Sequence, residues 1–276
     1  MLRRLAPILF AVAFGLVLWG GPVLWAQTSL GTAQSFAVLG GSTVTNTGSS
    51  VITGNVGVSP GSSVTGFFPP GVIVGGVIHA ADATAAQAQA DLTTQWNALI
   101  PLACTANLTG QDLGSVGALI PGVYCFSSSA QLTGSLVLNA QGNPGAVWVF
   151  KTGSTLTSAS AASVSFLGGI GNPCGVLWQI GTSATLGTGT QFVGNLMAQD
   201  SITLTTGADI NGGRALARTG AVTLDTNDIT FAPCGATPPI PPVPTLATWA
   251  AIVLSCLLAL AGAAALRRRQ SLVERH

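Results

Sequence analysis

Lysine, glutamate and tyrosine each occur once in the 276 residues, and charged side chains make up only 6% of the chain. The two ends hold most of the cations. Between Gln27 and Pro238 the cations are Lys151, Arg214 and Arg218, and the anions are Asp82, Asp91, Asp112, Asp200, Asp209, Asp225 and Asp228; three minus seven leaves a net charge near −4. Binding to nucleic acid needs clustered Lys and Arg to neutralise phosphates, so that class is excluded. A zinc site needs short spacings such as Cys-x-x-Cys and usually His. That spacing is absent and His79 is the stretch's lone histidine, so no metal and no cofactor is expected.

Catalysis has equally little to work with. His79 reads as a residue at a helix start, and the stretch contains no glutamate. Asp225 and Asp228 could serve as a carboxylate pair for glycan hydrolysis, but they are better read as finishing a strand and its turn. Arg214 and Arg218, in "GRALAR", are expected to bond to carboxylates or turn carbonyls. The chain is not expected to be an enzyme.

The ends read as membrane addresses. Arg3 and Arg4 precede an apolar run from Leu5 to Leu18, and Ala26 stands at a cleavage position, so residues 1–26 are expected to be a secretory signal. Leu24, three positions before the cut, is bulkier than the usual small residue, so an uncleaved anchor is the alternative; in both cases the segment from Gln27 onward is exported. Residues 237–245 hold the proline-rich spacer "TPPIPPVP". Leu246 to Leu266 then runs 21 residues without a charge, long enough to cross a hydrocarbon core of about 30 Å as a helix. The basic tail 267–276 opens with Arg267, Arg268 and Arg269, which places this end in the cytoplasm and the middle of the chain outside it.

"VPTLATW" (Val243 to Trp249), followed by the apolar stretch and arginines, resembles the C-terminal sorting domain named for its Ile-Pro-Thr-Leu motif, with Val243 in place of Ile and Ala247 and Thr248 where Ser and Glu are common. The resemblance implies a membrane sorting protease of Gram-negative bacteria as a partner, and display in or release from the cell envelope. A plain tail anchor is the alternative.

Cys104, Cys125, Cys174 and Cys234 lie in the exported part, and Cys256 in the apolar stretch. Four cysteines in an oxidising compartment allow three pairings. Cys104 with Cys125 and Cys174 with Cys234 is favoured, because the first pair is close in sequence and the second would pin the end of the domain.

Residues 27–236 are expected to form one mainly β domain. Short alternating segments such as "LGGSTVTNTG", "SSVITGNVGV" and "GSSVTGFF" are separated by Gly, Asn and Ser, the strand and turn signal. One stretch differs. His79 to Ile100 is rich in Ala and Gln, lacks Gly and Pro, and reads as a long helix with Ala81, Ala85, Ala88, Leu92, Trp96 and Leu99 on one face. Beyond it a Thr-Leu word recurs. Aligning Thr133, Thr155, Thr185, Thr203 and Thr223 gives intervals of 22, 30, 18 and 20, which points to stacked coils.

Alternation sends Leu156, Leu186, Leu204 and Leu224 inward and Thr155, Thr185, Thr203 and Thr223 outward. Thr157, Thr205, Ser183 and Ser201 extend this array. The outcome is a wall of Thr, Ser, Ala and Gly with almost no charge, whereas exposed strand faces normally carry Lys, Glu and Arg. Thr is favoured on any exposed strand because it is β-branched, so the composition alone also fits a neutral filler face. Its methyls could order water into cages while its hydroxyls anchor those waters.

From about Leu30 to Cys234, "LGTAQSFAVLGGSTVTNTG", "IHAADATAAQAQADLT", "GSVGALIPGVYCF", "GAVWVFKTGSTLT" and the long run from "LWQIGTSATLGTGTQFVG" to "GAVTLDTNDI" resemble the microbial ice-binding protein family with a discontinuous β-solenoid. The resemblance implies a right-handed, three-faced β-helix with one long helix alongside, in which the N-terminal strands join the coils beside the C-terminal one. It implies adsorption to an ice surface, as a monomeric domain, through coils carrying Thr-Ala/Gly-x-Thr/Asn. "TGST" (Thr152 to Thr155) fits that pattern and "TSAT" (Thr182 to Thr185) nearly does. "DSIT" (Asp200 to Thr203) and "TGAVT" (Thr219 to Thr223) depart from it. Rows about 4.8 Å apart along the stack and about 6.6 Å apart along a strand approach ice repeats. The rival expectation is a surface adhesion or structural solenoid that binds polysaccharide or another cell. That rival needs exposed aromatics in a row, and Trp96, Trp148 and Trp178 sit in apolar contexts that read as core.

Overall fold

The computed structural model describes residues 29–231 and Cys234. The expected signal, spacer, apolar stretch and basic tail, with Cys256, lie outside them. Among the described residues no helix is long and apolar enough to cross a membrane.

The described chain is mainly parallel β-structure with one α-helix. Seven strands, Ala130–Leu132, Leu156–Ser158, Ala184–Leu186, Ile202–Leu204, Val222–Leu224, Thr43–Asn46 and Ser63–Thr65, stack in that order into one wall. Every pairing is parallel. The order jumps from Leu224 back to Thr43, with Val44 paired to Val222. The N-terminal strands therefore extend the stack at its C-terminal coil.

A second, 15-stranded sheet makes the other two walls. It turns a corner because Gln191–Ala198 and Asp209–Ala217 each run through both walls, with a register shift between Val193 and Asn195. Gly194 makes that corner possible. Its φ is 105°, and a Cβ there would sit 2.6 Å from the Val176 carbonyl oxygen, so the bend requires a residue without a side chain.

Aromatic rings from successive coils fill the interior. Phe150 stacks on Trp178 at 4.0 Å between centroids, Tyr124 lies 5.6 Å from Phe150, and Phe192 lies 4.8 Å from Trp178. Both buried indole N–H groups are satisfied, Trp148 donating to the Leu119 carbonyl and Trp178 to that of Val193, each at 3.0 Å. This column supplies the apolar bulk that a Gly-, Ser- and Thr-rich chain otherwise lacks.

The helix α1 spans Ala83–Leu99 and starts four residues later than the sequence pattern suggested. His79 instead pairs with Gly57 in the strand Ile78–Ala80, and Ala81 sits at φ 53°, ending that strand. The Asp82 carboxylate caps the helix, accepting from the Ala85 N–H at 2.8 Å and meeting His79 Nδ1 at 2.7 Å. These contacts, the backbone one first, hold its pKa below the ordinary carboxylate value. Ala85, Ala88, Leu92, Trp96 and Leu99 are buried as their spacing requires, while Ala81 is exposed. The helix covers Val123, Val149, Leu177, Met197 and Leu216 on the outer side of one wall. The single lysine closes the far end: Lys151 Nζ donates to the carbonyls of Ile100 at 2.7 Å and Leu102 at 3.0 Å, where the helix dipole favours a cation.

Both favoured disulfides are present, Cys104–Cys125 and Cys174–Cys234. Arg214 finds a backbone carbonyl, one of the two kinds of acceptor expected, and both arginines also use side-chain amide oxygens, which the sequence did not suggest. Buried Arg214 donates to the Gln34 carbonyl and the Asn195 side chain, and Arg218 to the Gln199 side chain. Burial lowers the Arg214 pKa to about 10.

Candidate functional site

The helix occupies one wall, which leaves the seven-stranded wall open. Its inward side carries Ala130, Leu156, Ala184, Ile202, Val222 and Val44, all in register and buried. Because strand residues alternate, the next residue of each coil faces out. Those residues are Gln131, Thr157, Thr185, Thr203, Thr223, Thr45 and Thr65, each paired with the next. One continuous row therefore holds six threonines on adjacent strands, about 4.8 Å apart.

Two residues earlier on each strand a second outward row holds Thr155, Ser183, Ser201, Ala221, Thr43 and Ser63. The pairing of Thr43 with Ser63 fixes its end, and the Leu156 N–H to Ser183 carbonyl and Ile202 N–H to Ala221 carbonyl bonds fix its middle. The rows differ in what their hydroxyls do. In the first, no threonine hydroxyl has a partner among the described residues. In the second, Thr155 donates to Ser129 at 2.9 Å, Ser183 Oγ accepts from the Ser201 N–H at 3.3 Å, and Ser201 Oγ accepts from the Ala221 N–H at 3.2 Å. The wall thus offers solvent a line of methyl-plus-hydroxyl groups not committed to the protein.

Charge touches this wall at its margins. Asp200 accepts from the Thr219 hydroxyl at 3.2 Å, and Asp225 from that of Thr206 at 2.5 Å. Neither carboxylate belongs to the two rows.

The structure brings together Thr157, Thr185, Thr203 and Thr223, with Thr155, Ser183 and Ser201 alongside. Thr155 is displaced from the centre by two residues: Leu156 opposes Ala184, so Thr157 opposes Thr185. The place opposite Leu186 falls to Ser158, a buried serine bonded to Thr190 at 2.7 Å. Thr152, read from "TGST" as an array residue, is instead buried, in register with Phe126 and Ile180, and its hydroxyl donates to the Ser154 carbonyl. Thr182 precedes the strand, and its Oγ1 is buried with no hydrogen-bond partner among the described residues. Thr219 is turned onto the Gln199 carbonyl, and Thr205, past the end of its strand, onto the Leu186 carbonyl. Thr133 donates its N–H to Asp112 and lies outside the row.

Thr43, Thr45 and Thr65 were not among the expected site residues. Their signal was present in "STVTN" (Ser42 to Asn46) and "SSVT" (Ser62 to Thr65), which carry the same alternation. The tryptophans among the described residues are inside, Trp148 and Trp178 fully buried and Trp96 7% exposed, and the strongly exposed ring of Phe68 does not make a row.

Residues 38–230 match the family described as Ice-binding-like. An ice-binding protein of Nostoc sp. (strain HG1) is 59% identical over 203 residues, which are 74% of each chain. The solved ice-binding protein of the Antarctic ascomycete Antarctomyces psychrotrophicus superposes with a TM-score of 0.69 at 39% identity, covering 74% of this chain and 98% of that one. That crystallised relative is almost wholly this domain, so in it the architecture forms without long flanking segments. The ice-binding protein from an Arctic yeast, solved as a structural basis for antifreeze activity, gives a TM-score of 0.64 at 27% identity, over 77% of this chain and 97% of the yeast one. The chain belongs to the Ice-binding-like family.

Proposed function

We propose that this chain adsorbs to ice through the seven-stranded wall, and that Thr45, Thr65, Thr157, Thr185, Thr203 and Thr223 form the centre of the contact. The observation that carries the reading is the single row of threonines on adjacent strands whose hydroxyls have no partner among the described residues. Methyl groups at a fixed repeat order the first water layer, and free hydroxyls anchor it. A preformed wall loses little entropy on binding. In this reading the coils form a right-handed, three-faced, discontinuous β-helix that acts as a monomer, and no catalytic chemistry is assigned to it. Thermal hysteresis and partition into a growing ice hemisphere, measured on residues 27–236, test the proposal. A protein left wholly in the liquid, with no hysteresis, would remove it and leave the adhesion reading.

The same reading places the domain outside the inner membrane, tethered by Leu246 to Leu266 or released by cleavage near Pro244 and Thr245. It rests on the paired signals at the two ends, the Arg3–Arg4 leader and the Arg267–Arg269 tail. A tethered ice binder holds its cell at the ice, and a released one keeps the surrounding brine liquid. Fractionation is expected to find the domain in the envelope or the medium; recovery of the full chain with its leader in the cytoplasm contradicts the placement.

A further inference from the structure

The corner where the chain leaves the helix-covered wall and enters the threonine wall poses a hydrogen-bonding problem. Each coil arrives with its strand ladder interrupted. The N–H groups of Thr182, Asp200 and Gly220 still find carbonyls on the preceding coil, those of Ser154, Thr182 and Asp200. The next N–H of two coils has no carbonyl in line. For Ser201 the acceptor is Ser183 Oγ at 3.3 Å, and for Ala221 it is Ser201 Oγ at 3.2 Å. One residue further on, the carbonyl ladder resumes, with Ala184 donating to Ser201 and Ile202 to Ala221. The two serines thus bridge the single gap in the backbone ladder, at the entrance to the strands that carry Thr185, Thr203 and Thr223.

We propose that Ser183 and Ser201 are positioning residues of the ice face: each hydroxyl clasps the following coil's entering N–H and so holds the threonine two residues later at the height of its neighbours. This proposal rests on the ice-binding reading above. A hydroxyl that accepts a backbone N–H keeps its own proton for water, so each serine can also donate to the bound layer. A half-buried backbone N–H without its acceptor pulls toward solvent. The strand entrance would then shift, and a row that must match a rigid lattice is sensitive to small displacements where an ordinary exposed strand is not. Thr155 and Thr43 stand in the same register positions on other coils, so the site accommodates a β-branched residue.

The test uses residues 27–236 carrying Ser183→Ala with Ser201→Ala, beside Ser183→Thr with Ser201→Thr, and reads amide hydrogen exchange, melting temperature and ice affinity together. The alanine pair is expected to exchange faster at the Ser201 and Ala221 amides, to melt close to the parent, and to lose most of its thermal hysteresis. The threonine pair is expected to restore both exchange protection and hysteresis. Unchanged exchange at those amides in the alanine pair overturns the clasp. Faster exchange with full hysteresis overturns the positioning role while leaving the ice-binding reading intact. A parent that does not adsorb to ice overturns both.

Discussion

Thr185→Lys and Thr203→Tyr are each expected to abolish most adsorption to ice while leaving the fold intact. Both positions lie mid-row, flanked by threonines on the strands above and below. A long charged or bulky side chain there lifts the wall from the lattice and hydrates the gap, so one substitution acts on the whole contact rather than on one residue's share of it. The fold is expected to survive because both side chains face outward and neither hydroxyl has a partner among the described residues; exposed changes away from such features cost under about 0.5 kcal/mol. Ser165→Lys is the control. Ser165 is exposed on the strand Ser163–Phe166 of a different wall, paired with Val137. Ice affinity and melting temperature of the three variants decide the matter. Retention of full affinity by the Thr185 and Thr203 variants, with loss in the Ser165 variant, means that the contact lies on the other wall.

The row can also be dissected by chemistry. If ordering of the water layer depends on the methyl and the hydroxyl together, removing either at Thr203 weakens adsorption, and Thr203→Ser and Thr203→Val each fall between the parent and Thr203→Tyr. The grading arises from the free state of the first-row hydroxyls. In the second row the same truncation is expected to act through the backbone, because there the hydroxyl oxygen is already engaged.

Much of this wall was legible because three of its coils, those at Thr185, Thr203 and Thr223, repeat at 18 and 20 residues and carry the same Thr-Leu word. The coil before them sits two residues away from its expected place for an identifiable reason. "TLT" (Thr155 to Thr157) has a threonine on each side of its leucine, so alternation sends both outward without choosing which one opposes Thr185. The choice is made by Leu156 seating against Ala184 and by Ser158 filling the place opposite Leu186, where its hydroxyl is satisfied by Thr190. A buried serine–threonine pair 32 residues apart leaves no trace in a local pattern. Thr152 differs for another reason. It opens a four-residue word that matches the expected pattern, yet it ends the strand Trp148–Thr152 in register with Ile180 and so points into the core. The N-terminal threonines required knowing that Thr43–Asn46 stacks on Val222–Leu224, a pairing across nearly the whole domain. The resemblance implied that stacking, but the strand alternation could not assign its register. The helix was legible along its apolar face from Ala85 to Leu99, but its first turn was overextended to include Ala81, because nothing in the composition of His79 to Ala81 announces the positive φ at Ala81.

Reduction is expected to destabilise the domain strongly, and unequally at its two bridges. Cys104–Cys125 closes a separation of 21 residues and Cys174–Cys234 one of 60; by chain entropy these correspond to about 3 and about 4 kcal/mol. The second bridge does more than close a loop. It ties the chain after the strand Asp228–Phe231 to Cys174, in the turn just before the strand Val176–Ile180, across the coils between them. It also places Cys234 Sγ 3.4 Å from Arg214 Nη1, while the same guanidinium bonds to the Gln34 carbonyl and Asn195 and lies 5.1 Å from the Phe231 ring. Arg214 is buried, and a buried cation is tolerated only while its polar surroundings hold. Opening Cys174–Cys234 therefore loosens a residue that joins the segment before the first strand to the C-terminal coils. Cys174→Ala with Cys234→Ala is expected to lower the melting temperature more than Cys104→Ala with Cys125→Ala, and reductant is expected to lower that of the parent by at least as much as the worse pair. Calorimetry on residues 27–236 gives the order, and thiol labelling with mass spectrometry on protein from the cell envelope gives the redox state. Four free thiols in that protein, or a first-bridge variant less stable than the second, would contradict the account of how the domain is closed.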